Sequence, residues 1–125
     1  MPHLTVHATE TDLKGREEQL ITGLTDAVIA VYGPWARDIA VVKLVGVPAG
    51  RWGIGGKPAT NPAPTITFGI KEEAFSHPGV IDRLAAGVTD AITNILGEQT
   101  REAITVDFIG TLPGRTAIGG VITPR

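Results

Sequence analysis

The stretch from Gly23 to Gly56 recurs without a gap 64 positions later in the chain. Gly23-Leu24-Thr25-Asp26-Ala27 returns as Gly87-Val88-Thr89-Asp90-Ala91, and Gly50-Arg51 as Gly114-Arg115. Ile54-Gly55-Gly56 returns as Ile118-Gly119-Gly120. Gly33 pairs with Gly97, Arg37 with Arg101, Asp38 with Glu102 and Gly46 with Gly110. About 13 of the 34 aligned positions are identical, against roughly two by chance, so the chain is an internal duplication. Its 125 residues suit one domain made of two very small fused units. The expected boundaries are repeats at 2–56 and 64–120 and a linker at 57–63, all within a single domain over 1–125.

Each copy reads as strand, helix, strand. Leu4, Val6 and Ala8 alternate with His3, Thr5 and His7, the period-two pattern of a half-buried strand. Leu20, Leu24, Ala27, Val28 and Val31 follow helical spacing, with Thr11 or Asp12 as the expected cap and Gly33 as the stop. The run Ile39–Val47 is nearly all apolar, which predicts a strand buried on both faces. In the second copy Ile66, Phe68 and Ile70 share one strand face. Pro78 suits a first helical turn after Ser76 or His77, and Leu84, Val88, Ala91, Ile92 and Ile95 form the helical stripe. Ala103 to Ile109 is the closing strand. The segment from Lys57 to Pro64 holds three prolines in eight residues and reads as a linker, not a strand. Two such units with right-handed crossovers predict an α+β fold: a tandem β-α-β repeat, one four-stranded sheet, two helices on one face. The other sheet face is then bare, and a symmetric oligomer with its sheets turned inward is the simplest cover.

Composition removes whole classes of function. Hydrophobic residues at 42% and charged residues at 19% exclude intrinsic disorder. The absence of cysteine excludes a disulfide scaffold, a thiolate nucleophile and a cysteine zinc site. His3, His7 and His77 lack metal-ligand spacing, so no metal is expected. A net charge of −2 argues against a broad nucleic-acid surface. No apolar run reaches the roughly 18 residues of a membrane span. The N-terminus lacks a signal-peptide pattern. The expectation is a soluble, cytoplasmic protein without nucleic-acid or membrane partners.

Pro2 is the residue with chemistry. Removal of Met1 is expected because the next residue is small, and it leaves a secondary amine at the chain's start. Pro2 shares strand parity with Leu4 and Val6, so it points to the covered face. Apolar surroundings lower an amine's pKa by disfavouring the ammonium. A free-base amine near neutral pH takes a proton from carbon beside a carbonyl, or attacks the carbonyl.

With Pro2, the doubled unit and the doubled Arg-x-x-Ile-Gly-Gly segment in view, the chain resembles the tautomerase superfamily over essentially its whole length. Ala49-Gly50-Arg51-Trp52-Gly53-Ile54-Gly55-Gly56 is similar to the C-terminal hairpin of 4-oxalocrotonate tautomerase, with Trp52 at the aromatic position. The closest type is a fused, two-unit member. The resemblance implies a homotrimer of fused chains, a small carboxylate substrate and no cofactor.

The chain departs from that pattern where arginines usually clamp the carboxylate. Ala8-Thr9-Glu10-Thr11-Asp12 contains none, and Val41 and Thr105 stand where the second strand of a unit usually begins with one. The candidate substitute cations are Lys71, Arg51, Arg115 and Arg37; for Arg51 and Arg115 a solvent-facing hairpin charge is the competing reading, and for Arg37, as for Arg101, a place in the helix–strand connection is favoured. Lys71 directly follows the third strand, in a place similar to the arginine-bearing stretch of malonate semialdehyde decarboxylase. Asp38 aligns with that enzyme's aspartate and is the candidate for activating water; a plain turn role is the competing reading. Trp52 is a candidate pocket wall. Pro64 aligns with Pro2 after a two-residue shift, but its nitrogen is an internal amide, so one unit supplies the amine. Three functions stay open. The first is a keto–enol tautomerase of a 2-oxo or enol acid with Pro2 as base. The second is a hydratase-type dehalogenase or decarboxylase using Pro2 and Asp38. The third is a trimeric binding or scaffold protein without chemistry.

Overall fold

The computed structural model describes residues 1–123. The chain forms β1 (His3–Thr9), α1 (Glu10–Leu13), α2 (Glu17–Tyr32), β2 (Val41–Val47), β3 (Gly53–Ile54), β4 (Lys57–Pro58), β5 (Thr65–Lys71), α3 (Val80–Leu96), β6 (Thr105–Thr111), β7 (Ala117–Ile118) and β8 (Val121–Ile122). Four strands make one mixed sheet in the order β2-β1-β5-β6. β1 pairs parallel with β2, β5 pairs parallel with β6, and the two central strands run antiparallel. This is the α+β arrangement the repeat predicts, with α2 and α3 on one face.

Alternation decides which face they cover. Leu4, Val6, Ala8, Ile66 and Phe68 are fully or almost fully buried beneath the helices. The helical stripes Leu20, Leu24, Val28 and Leu84, Val88, Ile92 close on them from above. The helices approach closely because small residues face each other at the crossing. A Cβ on Gly23 would lie 3.8 Å from the Ala91 methyl, and one on Gly87 3.6 Å from the Ala27 methyl. Each contact is the other displaced by one repeat, so the helix pair has an internal two-fold relation.

The second half keeps that relation while changing its side chains. Phe68, Phe75 and Phe108 form an aromatic triad with ring centroids 5.7–6.3 Å apart. Val6 and Leu44 hold the corresponding sheet positions in the first half. Both units end in a two-residue hairpin turn. Gly55 and Gly56 have φ of 62° and 82°, and Gly119 and Gly120 have 61° and 85°. That pair of left-handed residues defines the turn whose twist fits a tight hairpin, and glycine adopts it without a Cβ penalty.

Several boundaries differ from the sequence expectation. Thr11 and Asp12 lie inside α1; the cap is Thr9, whose Oγ1 accepts from the Asp12 N–H at 3.1 Å. Gly15 at φ 80° then turns the chain, and α2 starts at Glu17 with no side-chain cap. Pro78 is outside its helix, because Gly79 at φ 80° resets the direction and α3 begins at Val80. The closing strand is shifted to Thr105–Thr111, since Glu98–Ala103 forms a 3-10 helix. Lys57 and Pro58, expected in the linker, complete the first hairpin by pairing with Ile54 and Gly53. Edge position makes this possible for Pro58, which has no N–H to donate.

The outer sheet face also differs from the expectation. Val42 and Leu44 pack against the core, but Lys43 and Val45 point away and are exposed in the single chain. The run Ile39–Val47 is therefore not buried on both faces by its own chain. Tertiary pairing places it at a sheet edge, where its outward half has no cover from the helices.

Candidate active site

Strand direction sorts the candidate residues between two ends of the sheet. His3 pairs with Val41 on one side and faces Gly69 on the other. Lys71, at the end of β5, pairs with Thr111 at the end of β6. The start of β1 therefore shares one end of the sheet with the start of β2 and the ends of β5 and β6. Pro2 sits there, fully buried, and its carbonyl accepts from the Val41 N–H at 2.9 Å. Continuing the antiparallel register puts Pro2 opposite Ile70 and Met1 opposite Lys71. With Met1 attached, the Pro2 nitrogen is a tertiary amide; the basic amine exists once Met1 is removed.

The opposite end is built on Pro64. It too is fully buried, and its carbonyl faces the Thr105 N–H at 3.5 Å. Pro2 and Pro64 are thus equivalent about the internal two-fold, as the two-residue shift in the sequence predicts. The shift arises between strand and helix, where the second unit has a longer connection before α3. Glu10 and Glu72 mark its start and match in the same register. Each lies over a glycine of the adjacent edge strand: a Cβ on Gly46 would come 2.9 Å from the Glu10 Cγ, and one on Gly110 would run into the Glu72 carboxylate. Sequence reasoning misses this pair. Its one signal is the recurrence of Gly46 as Gly110, which marks a close approach rather than a turn.

Lys71 is the last residue of β5 and not the first after it. Its Nζ lies 3.0 Å from Glu73 Oε1, with both side chains about two-thirds exposed. An ion pair so open to water is worth under about 1 kcal/mol, so a substrate carboxylate can compete for the ammonium. The matching residue at the Pro64 end is Thr9, which is uncharged. Asp38 lies in the turn before β2, three residues from the Val41 that holds Pro2, and is exposed. Arg115 leaves β6 toward β7, so it starts from the Pro2 end; its N–H donates to the Leu112 carbonyl at 3.2 Å. Arg51 and Trp52 follow β2 and start from the Pro64 end, with Arg51 exposed and Trp52 partly buried. Within one chain the sheet separates these two from Pro2. Sequence reasoning groups both hairpins together because it lacks the antiparallel joining of the units.

Arg37 and Arg101 serve the scaffold. Arg37 pairs with Asp26 at 3.0 Å, and Arg101 pairs with Asp90 at 2.9 Å. These are repeat-related contacts, tying each helix to the connection that follows it. The Arg101 guanidinium also holds the Glu98 carboxyl below its usual range by direct hydrogen bonding. His3, on the outer face, has its pKa lowered by partial burial and then by the nearby charge of Lys43. His7 is exposed on the same face, as its parity predicts. Burial raises the Tyr32 hydroxyl, which donates to the Ala74 carbonyl at 3.0 Å.

Two shallow concavities of about 480 and 490 Å³ lie elsewhere, one beside Glu10 and Leu44 and one between α2 and α3. Neither is lined by Pro2. Among the described residues, no helix is long and apolar enough to cross a membrane.

No protein-family model matches the sequence, and no curated protein matches it. Solved structures do match. The chain is similar to R7, a wild-type fused 4-OT described as an asymmetric trimer, at 22% identity and a TM-score of 0.81. That match covers 94% of this chain and 93% of the other. It is similar to Pt0534 inactivated by 2-oxo-3-pentynoate, at 21% identity and a TM-score of 0.82, covering 96% and 95%. It is also similar to N1, a member of the cis-3-chloroacrylic acid dehalogenase family, at 17% identity and a TM-score of 0.78, covering 98% and 83%. The chain has the fused 4-OT fold.

Proposed function

We propose that the chain is a tautomerase in which the Pro2 amine moves a proton between the enol and keto forms of a small 2-oxo or enol acid. The observation that carries this reading is the asymmetry between the two ends of the sheet. Both ends hold a buried proline, but the Pro2 end alone joins a potential amine to a cation at the end of the neighbouring central strand, Lys71. The amine would take the proton from carbon, and Lys71 or Arg115 would stabilise the oxyanion that forms. Pro64, locked in an amide, would keep the scaffold and no chemistry.

The fused 4-OT neighbours described as trimers support a homotrimer for this chain. In such a ring the Pro2 end, where Met1 and Lys71 are exposed, would receive walls from another copy, and Arg51 and Trp52 would reach it from there. The chemistry needs an amine, donors and apolar walls, all of which the residues supply without a cofactor.

One experiment tests the amine directly. 2-Oxo-3-pentynoate, with which Pt0534 was inactivated, is incubated with the purified chain after Met1 removal. The Pro2 nitrogen adds to C4 of the alkyne conjugated to the 2-oxo group; one C–N bond forms as one π bond of the alkyne breaks, and the proton lost from the amine ends on C3. Intact mass and peptide mapping should find one label per chain, on Pro2. A chain with a free Pro2 amine that takes no label there contradicts the assignment. Replacing Lys71 with Ala should raise KM for a carboxylate substrate about tenfold by removing the ammonium that holds its carboxylate, with a further loss in kcat to the extent that the same ammonium stabilises the oxyanion. An unchanged KM transfers that role to Arg115 or Arg51.

A second reading uses Asp38. Its place in the turn before Val41 supports a hydratase-type dehalogenation or decarboxylation, with Asp38 activating water and a protonated Pro2 as acid. Asp38→Asn separates the two readings. Ketonisation that survives the change within about threefold favours the tautomerase; loss of halide release or decarboxylation favours the second.

A further inference from the structure

The outer sheet face carries one row that runs straight across all four strands. Thr5 pairs with Thr67 at the centre, Lys43 lies beside Thr5, and Asp107 lies beside Thr67. Thr5 and Thr67 sit on the internal two-fold, so Lys43 and Asp107 occupy the same position in the two units, 64 residues apart. The duplication has placed opposite charges at equivalent sites on the two free edges of the sheet.

These two charges cannot meet within one chain. Three strand spacings separate them, about 14 Å between backbones, which exceeds the combined reach of the side chains. Both are exposed, and neither makes an ion pair among the described residues. Each is flanked two residues later by an exposed apolar side chain, Val45 at 39% and Ile109 at 54% exposure. Each edge therefore presents an apolar contact next to a single charge, positive on β2 and negative on β6.

We infer that this face docks on a second copy of the chain, with Lys43 on β2 of one copy paired to Asp107 on β6 of the next. The charge pattern rejects the alternatives. Joining two β2 edges opposes two lysines, and joining two β6 edges opposes two aspartates. Head-to-tail joining brings unlike charges together at every interface, and such an interface closes into a ring when its rotation permits. This rests on the homotrimer reading above and deepens it: a three-fold ring is head-to-tail by symmetry, and Lys43 and Asp107 are the pair that meets at each of its joints. A pair formed beside packed Val45 and Ile109 loses water, which strengthens the mutual attraction at a desolvation cost and makes a like or unpaired charge at that place expensive.

Charge reversal tests the inference. Lys43→Asp, Asp107→Lys and the double exchange are compared with wild type by sedimentation velocity across a dilution series, with circular dichroism to check folding. The wild type should sediment as a trimer. Each single reversal should weaken assembly by about 100-fold in dissociation constant, and more at low salt. The double exchange should restore the trimer. Neutral Lys43→Gln and Asp107→Asn chains, expected to be intermediate, keep the test open if a reversed chain does not fold. A wild-type trimer unaffected by folded single reversals overturns the pairing and leaves the trimer standing. A folded double exchange that stays dissociated overturns the pairing in the same way. A monomeric wild type overturns the trimer itself and the pairing with it.

Discussion

Replacing Pro2 with Ala should lower kcat/KM for ketonisation of a simple enol acid by about 100-fold or more, within the range that a positioned base contributes. The loss should fall mainly on kcat. Alanine keeps an amine after Met1 removal, but a primary one, without the ring that fixes its position. Pro2 is fully buried at the start of β1, with its carbonyl anchored 2.9 Å from the Val41 N–H. Alanine leaves that hydrogen bond intact and a small cavity where the ring was. Thermal unfolding of the variant separates the two effects. A folded variant that retains full activity removes the base assignment.

Replacing Phe68 with Ala should destabilise the fold by about 3–5 kcal/mol. Phe68 is fully buried and touches both Phe75 and Phe108, at centroid distances of 6.3 and 5.7 Å. Its removal empties the centre of the second unit and also loses two aromatic contacts. Val6→Ala, at the matching place in the first unit, removes far less volume and should cost about 1–3 kcal/mol. Urea unfolding of the two variants measures the difference. Equal losses would mean that the triad does not carry the second unit's packing.

The repeat is legible in the sequence because glycines and charged pairs keep their spacing. Gly33 and Gly97 end helices, and Gly55-Gly56 and Gly119-Gly120 form turns, so their conformations demand the residue. The strand alternation at Leu4, Val6 and Ala8 likewise names the covered face correctly. Helix starts are less legible. Gly15 and Gly79 break the chain just before α2 and α3, and neither belongs to the periodic pattern. The apolar run around Leu44 misleads for another reason: composition shows that a strand can be buried, but pairing decides whether it lies at an edge.

The candidate residues are legible one by one; their grouping in space is not. Chemistry and alignment alone single out Pro2 and Pro64 as candidates, and the structure buries both, at opposite ends of the sheet. The grouping of Lys71, Asp38 and Arg115 at one end, and of Arg51 and Trp52 at the other, follows from the antiparallel junction of β1 and β5. No local pattern in the sequence reports that junction. That no arginine stands at Val41, at Thr105 or between Ala8 and Asp12 is visible in the sequence, but strand register is what brings Lys71 forward, because it lies one position beyond Pro2 on the neighbouring strand.

The chemistry proposed for this chain belongs to the nitrogen of Pro2 and not to the residue as such. Two preparations of the same chain test it, one with Met1 removed and one retaining it, each verified by intact mass. Both are assayed for ketonisation of phenylenolpyruvate. Activity is expected in the first and none above background in the second, where the nitrogen is an amide. Equal activity in the two would contradict a Pro2 amine base.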